Sequence, residues 1–142
     1  MSGFIFALIA GSFMAIQGVF NTRLTESSSM WVANTVVHST GLVVCLLLWF
    51  FSGRASFAPL LQVPNKWYFI GGILGAVIVY AVIKTIASLG PTVGVMTFLS
   101  TQLLTAYIIE LFGLFGTEVV PFDFKKVIGL ALVVGGIVVF KI

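Results

Sequence analysis

The chain has 142 residues, of which 60% are hydrophobic and only 8% are charged, and its net charge at pH 7 is +3. A soluble domain carries about a quarter charged residues, so this composition excludes a water-soluble fold and predicts an integral membrane protein. The seven basic and four acidic residues lie scattered between apolar runs, which excludes a basic face for binding nucleic acid.

Five apolar runs follow one another, and we predict a single all-α membrane domain over residues 1–142 with five transmembrane helices. The predicted spans are residues 3–20, 31–51, 67–89, 92–114 and 123–141. Pro91 directly follows the third run and predicts a tight reversal, because proline suits the first turn of a new helix. Asp123 is the predicted N-cap of the fifth helix.

The first span carries small residues at every fourth position, which on a helix form a ridge that another backbone can approach closely. The small residues assigned to this packing ridge are Gly3, Ala7, Gly11, Ala15 and Gly18. Two amides, Gln17 and Asn21, lie one turn apart beside the ridge, and Phe13 and Phe20 belong to the same helix. This helix is interpreted either as a packing helix with a polar end or as one wall of a substrate site, in which the amides bind polar groups and the phenylalanines an apolar part.

The second span contains the chain's one histidine, and the third contains one lysine. His38 shares a helical face with Asn34 and is interpreted either as a hydrogen-bonded packing group or as a ligand or proton carrier. Gly71 and Gly75 form a second packing ridge in span three. Lys84, near the end of that span, either snorkels to the lipid headgroups or is buried and carries charge for the function.

The fourth span carries most of the remaining polar side chains. Gln102 falls near the predicted midplane and is interpreted either as a helix–helix hydrogen bonder or as a substrate contact. Glu110 has a short reach, so it is predicted to be buried or to face a cavity, where it supplies charge or a proton. The threonines of this span are predicted to return their hydroxyls to the preceding helical turn. In span five, Gly135 is assigned to helix packing.

Charge and depth together predict an antiparallel pair of chains. Four basic residues fall on the N-terminal side of the membrane and three on the other, which favours a cytoplasmic N-terminus only mildly and allows dual topology. Within one chain, Lys84 and Glu110 are nearly ~20 Å apart in depth and cannot pair. Inverting a second copy brings its Glu110 to the level of Gln17, His38 and Lys84 of the first.

A set of residues distributed over the whole chain forms a recognisable pattern. Its members are Gly11, Gln17, Gly18, Asn21 and Leu24 in the first helix, Leu89 and Gly90 before the fourth, and Gln102, Leu103, Glu110 and Gly113 within and after the fourth. In this pattern the chain resembles the YdcZ-like family, small five-helix proteins of the drug/metabolite transporter superfamily. Thr101 departs from the glycine common before the glutamine, and Glu110 replaces an expected aspartate but keeps its charge.

The resemblance implies half of an inverted-repeat transporter, which an antiparallel homodimer or a sister subunit completes around a site near the midplane. The four-helix multidrug exporters of the same superfamily are similar antiparallel dimers, but they carry a glutamate in helix one. This chain has Met14 and Gln17 in that region, so their proton exchange is not carried over by position. Proton coupling here would have to use Glu110 or His38.

We therefore expect a secondary active transporter of a small organic solute or metabolite in the bacterial inner membrane, surrounded by lipid. A non-transporting subunit of a hetero-oligomer and a passive channel are the alternatives. An enzyme is not expected, because neither a serine nor Cys45 comes with a suitably spaced base. The lone cysteine excludes an intrachain disulfide and a Cys-rich metal site, and the glycine pairs lie inside apolar helices rather than in a phosphate loop, so no metal or cofactor is expected.

Overall fold

The computed structural model describes residues 2–141, the side chains of Ser2 and Lys141 excepted, and within that range it contains five α-helices and no strand. The helices are α1 (Ser2–Glu26), α2 (Met30–Phe51), α3 (Gly71–Leu89), α4 (Pro91–Phe112) and α5 (Phe124–Lys141). Two 3₁₀ turns, Ala58–Gln62 and Lys66–Ile70, lie between α2 and α3. The predicted all-helical class is confirmed.

Four stretches of the described chain are long and apolar enough to cross a membrane. They are Gly3–Glu26, Met30–Phe51, Lys66–Leu89 and Pro91–Phe112. Helix α5 has 18 residues and includes Lys125, Lys126 and Lys141, and it is not among these four. The crossing at residues 123–141 therefore stays a prediction, although the helix itself is formed there.

Helix α1 continues more than a turn beyond the predicted end of the first span. The hydroxyls of Thr22 and Thr25 donate to the carbonyl oxygens of Gly18 and Asn21, one turn earlier, at 2.9 Å each. These bonds satisfy the two hydroxyls within the helix. Asn21 consequently lies inside α1, one turn after Gln17, as the proposed pair of amides requires.

The reversal between α3 and α4 forms as predicted. Leu89 ends α3, Gly90 has a φ of +77°, and Pro91 begins α4. A left-handed φ favours glycine because it has no Cβ to clash with the backbone. Proline at the next position costs nothing, since the first N–H groups of a helix have no intrahelical partner anyway.

Helix α4 ends at a second glycine, Gly113, where a side chain would be strained. Gly113 has a φ of +60°, and a Cβ built on it would lie 2.6 Å from the side chain of Val119. The backbone N–H of Val120 donates to the carbonyl oxygen of Glu110, so the loop folds back against the last turn of α4. The loop between α4 and α5 is therefore folded against α4, and it positions the start of α5.

Contacts divide the chain into two compact units, residues 1–84 and 85–142, with the boundary inside α3. Among the described residues, Ala33, Ile83 and Ile86 are the only buried hydrophobic side chains. Large apolar side chains are instead exposed along all five helices. Such a surface is stable only against lipid or against other apolar protein, so the membrane takes the place of a hydrophobic core.

Candidate functional site

Helices α2 and α3 enclose an open groove of about 370 Å³ within the first unit. We call it the histidine groove, and it is lined by Trp31, Asn34, Thr35, His38, Ser39, Leu42 and Ala76. Most of these side chains come from one face of α2, because residues three or four apart on a helix are neighbours. The predicted grouping of His38 with Asn34 on one face is confirmed.

A buried amide fixes the two helices of the histidine groove relative to each other. Asn34 is only 4% exposed, and its Nδ2 donates to the backbone carbonyl oxygen of Ala76 at 2.9 Å. Its neighbour Ala33 is fully buried. One turn earlier, the rings of Trp31 and Tyr80 stack with centroids 5.6 Å apart. These contacts determine which face of α2 meets α3.

The contacts of His38 assign its ring nitrogens different roles. Nδ1 lies 3.0 Å from the carbonyl oxygen of Asn34, which can only accept a hydrogen bond. In the neutral ring Nδ1 therefore carries the proton, and Nε2 is left as the acceptor. Nε2 is directed towards Gly75, where an added Cβ would lie 3.2 Å from it. The structure thus brings together a predicted coupling residue and a predicted packing glycine.

A second open groove, of about 300 Å³, lies between α4 and α5 within the second unit. We call it the ion-pair groove, and it is lined by Leu103, Ala106, Tyr107, Glu110, Lys126, Gly129, Leu130 and Val133. Lys126 Nζ lies 3.6 Å from Glu110 Oε2, and these side chains are 41% and 48% exposed. The same Nζ lies 5.3 Å from the centre of the Tyr107 ring, within cation–π range.

Tyr107 and Asp123 connect the ion pair to the start of α5. The Tyr107 hydroxyl accepts a hydrogen bond from the backbone N–H of Asp123 at 3.1 Å. Asp123 Oδ1 in turn accepts from the backbone N–H of Lys125 at 2.9 Å. The predicted N-cap is therefore confirmed, and it holds the first turn of α5, which carries Lys126, against the last turns of α4.

Sequence reasoning missed the partner of Glu110. Depth excluded Lys84 and led to the expectation of a partner in an inverted second copy, whereas Lys126 of the same chain makes the pair. The signal was present, because Glu110 ends one predicted helix and Lys126 begins the next across a short connection. An inverted copy is consequently not needed to neutralise this carboxylate.

The predicted substrate-binding residues differ in exposure. Asn21 is buried, at 6% exposed, whereas Gln17 and the two phenylalanines of the same helix, Phe13 and Phe20, are exposed. Gln102 is exposed at the middle of α4. Lys84 is exposed near the end of α3.

The predicted packing residues are buried only in part. On α1, Gly18 is buried and Ala15 half-buried, while the ridge residues nearer the N-terminus, Gly3, Ala7 and Gly11, are exposed. Gly75 is half-buried beside His38, and Gly71 and Gly135 are exposed. No atom of the described structure lies within 4 Å of a Cβ built at Gly3, Gly11, Gly71 or Gly135. These four glycines therefore lie on a surface that no other described helix covers.

The serine and threonine hydroxyls in the middle of α4 bond within the helix. Thr97, Ser100, Thr101 and Thr105 each donate to the carbonyl oxygen four residues earlier, at 2.7 to 3.2 Å. This local pattern is confirmed as predicted. Because these hydroxyls are already used as donors, Gln102 is the polar group of the middle of α4 that remains for other contacts.

Comparison with known proteins supports the resemblance. Residues 2–139 match the model of the family described as "Putative inner membrane exporter, YdcZ". The chain is 27% identical over 133 residues to the inner membrane protein YdcZ of Escherichia coli K12, an alignment that covers 92% of this chain and 89% of that protein. No solved structure matches the chain.

Proposed function

The chain belongs to the YdcZ family and is a multi-pass inner membrane protein, and from this premise we propose that it is a secondary active transporter. It moves a small organic solute or metabolite across the bacterial inner membrane. The family is described as one of exporters, not of enzymes, which agrees with a transport role. The working unit is an antiparallel dimer that exposes one central site alternately to the two sides of the membrane.

The observation that carries this proposal is the exposure of Gln102 at the middle of α4. A primary amide in contact with hydrocarbon lacks hydrogen-bond partners and costs free energy. A second protein surface or a water-filled cavity at this depth removes the cost. Gln17 on α1 and His38 on α2 are also exposed. Polar groups of both units therefore need a protein surface or water in place of lipid.

The orientation of the second copy follows from the charge distribution and from depth. The basic residues divide almost evenly between the two sides of the membrane, so insertion in either orientation is supported. By the depth estimate from the sequence, an inverted copy brings its Glu110 to the level of Gln17, His38 and Lys84 of the first. The open part of the α1 ridge, Gly3 to Gly11, offers a surface on which another helix can pack closely.

In this proposal each residue class has one task. Gln17, Asn21 and Gln102 hold polar groups of the solute, and Phe13 and Phe20 contact its apolar part. Glu110, His38 and Lys84 supply charge or a proton. A proton taken up by Glu110 would release Lys126 from the ion pair, which connects coupling to a contact between α4 and α5.

A non-transporting membrane subunit is the second candidate, and the open glycine surface of α1 favours it. Purified protein in liposomes separates it from a transporter, because a transporter gives saturable, exchangeable flux and a subunit gives none. A passive channel would give conductance without saturable exchange. A screen of metabolites, with and without a pH gradient, is the direct test.

Topology reporters at the C-terminus test the dimer separately from transport. Both orientations are expected for a homodimer of antiparallel chains. A single orientation would contradict the homodimer and would require a sister subunit of opposite orientation.

A further inference from the structure

If α5 crosses the membrane as the sequence predicts, the charged end of the ion-pair groove lies where α4 and α5 leave the hydrocarbon. Glu110 lies in the last turn of α4, which ends at Phe112, and Lys126 lies in the first turn of α5, which begins at Phe124. Charged side chains are tolerated at such helix ends because they can reach the lipid headgroups. The ion pair is therefore at headgroup level.

The loop beside the ion pair is apolar on its outside. Phe115 and Phe122 are exposed, as are Phe112 and Phe124 at the adjoining helix ends. The loop is nevertheless folded, since the hydroxyl of Thr117 donates to the carbonyl oxygen of Leu114 at 2.9 Å. A folded loop with exposed phenylalanines is stable at the boundary between headgroups and acyl chains, where the rings are buried in lipid.

The groove changes from polar to apolar with depth. On α4 its lining runs from Glu110 back through Ala106 to Leu103, and on α5 from Lys126 onward through Leu130 to Val133. Each step moves one helical turn away from the helix ends and into the hydrocarbon. The charges thus lie at the headgroup end and the aliphatic side chains at the acyl-chain end, which is the orientation of a phospholipid.

The ion pair itself leaves room for a headgroup. Its N···O distance of 3.6 Å is longer than the ~2.7–2.9 Å of a strong charge-assisted hydrogen bond, and about half of each side chain is exposed. Groups of opposite charge on a ligand can therefore contact both partners without first opening a tight pair.

We propose that the ion-pair groove is a binding site for a phospholipid with a primary ammonium headgroup, phosphatidylethanolamine. The phosphate contacts Lys126, the ammonium group donates to Glu110, and one acyl chain lies against Leu103, Leu130 and Val133. The quaternary ammonium group of phosphatidylcholine cannot donate a hydrogen bond to Glu110, phosphatidylglycerol has no cation for it, and the extra carboxylate of phosphatidylserine would be repelled by Glu110. Charge complementarity therefore selects this headgroup.

Lipid binding to the purified protein in detergent, measured by native mass spectrometry with lipids of identical acyl chains, tests the proposal. Phosphatidylethanolamine is expected to bind more tightly than phosphatidylcholine or phosphatidylglycerol. Lys126→Gln is expected to weaken its binding about tenfold, and Glu110→Gln to remove its advantage over phosphatidylcholine. The matched controls Lys125→Gln and Glu118→Gln, which alter charges outside the groove, are expected to leave binding unchanged.

A third pair of variants fills the groove without touching its charges. A Cβ at Gly129 meets no atom within 4 Å, and this residue lines the groove, so Gly129→Leu adds side-chain volume to the groove. It is expected to lower lipid binding, whereas Ala131→Leu, outside the groove lining, is not. Helicity and the thermal midpoint of each variant show that it is folded.

Four outcomes would overturn the proposal, three of them from the binding measurements above. Those three are equal binding of the three lipids, equal effects of Lys126→Gln and Lys125→Gln, and unchanged binding in Gly129→Leu. Free phosphoethanolamine competing as well as the lipid would also overturn it, because the acyl chain would then contribute nothing.

Discussion

The histidine groove and the ion-pair groove have similar volumes, about 370 and 300 Å³, but they are built from different chemistry. In the histidine groove a buried amide and stacked rings bring α2 and α3 together, and Asn34 and His38 are placed inside the length of α2. In the ion-pair groove the polar groups are a carboxylate and an ammonium group at helix ends. Neutral hydrogen bonds therefore form the histidine groove within the length of its helices, whereas the charges of the ion-pair groove lie at helix ends.

The two grooves also differ in what holds them. Asn34 reaches across to a backbone carbonyl, a contact that water cannot compete for when lipid surrounds the helices. The Glu110–Lys126 pair is half exposed, so water and headgroups compete for both partners. In the second unit, hydrogen bonds fix the two ends of the loop from Gly113 to the Asp123 cap. The histidine groove is therefore stabilised by a hydrogen bond between its own helices, and the ion-pair groove by the loop that joins its two helices.

The largest effect is expected on pH-driven transport, for which Glu110 of the ion-pair groove and His38 of the histidine groove are the candidate proton carriers. Glu110→Gln should abolish flux driven by a pH gradient, because it removes the carboxylate that supplies charge or a proton while conserving its size. Flux of the reconstituted protein with and without the gradient measures this, and crosslinking checks that the dimer is intact. Glu118→Gln is the control for a surface carboxylate. If Glu110→Gln keeps full pH-driven flux while His38→Gln loses it, the coupling role moves to the histidine groove.

The next largest effect concerns the loop that holds the ion-pair groove. Gly113→Ala should lower the free energy of unfolding by about 2 kcal/mol, because alanine is strained at positive φ and its Cβ would lie 2.6 Å from Val119. Thermal or denaturant unfolding in detergent measures the loss. Gly136→Ala is the matched control, since its Cβ meets no atom within 4 Å. Equal stability of the two variants would contradict the assigned role of the loop.

A smaller effect is expected for the amide that holds the histidine groove. Asn34→Leu should cost about 1 kcal/mol, since it removes the hydrogen bond to Ala76 but leaves a carbonyl that is still bonded within its helix. Thr35→Val is the control, because the hydroxyl of Thr35 bonds only within α2, to Trp31. Should both variants unfold alike, the cross-helix bond would contribute nothing specific.

The smallest effect is expected for the ion pair itself. Lys126→Gln should change the free energy of unfolding by less than ~1 kcal/mol, because both partners are about half exposed and their attraction is screened. The same unfolding measurement, repeated at high salt, checks this, with Lys125→Gln as the control. A loss larger than that of Asn34→Leu would reverse the comparison and make the charge contact the main support of its groove.

Features confined to one helix could be predicted from the sequence. The helices themselves, the reversal at Gly90 and Pro91, the Asp123 cap and the threonine bonds of α4 all depend on residues within about one turn of each other. The family membership was predictable as well, because its pattern of residues is read along the chain. The end of α1 was missed, since polar residues after Phe20 resemble a connection until their hydroxyls are placed.

Contacts between helices were decided by the tertiary structure. The pairing of Glu110 with Lys126, the bond from Asn34 to Ala76 and the approach of His38 to Gly75 all require the rotation of one helix against another. In a soluble protein the contrast between an apolar and a polar face indicates that rotation. Here lipid makes nearly every face apolar, so the sequence by itself determines the helices and their caps, while only the folded chain decides which faces meet.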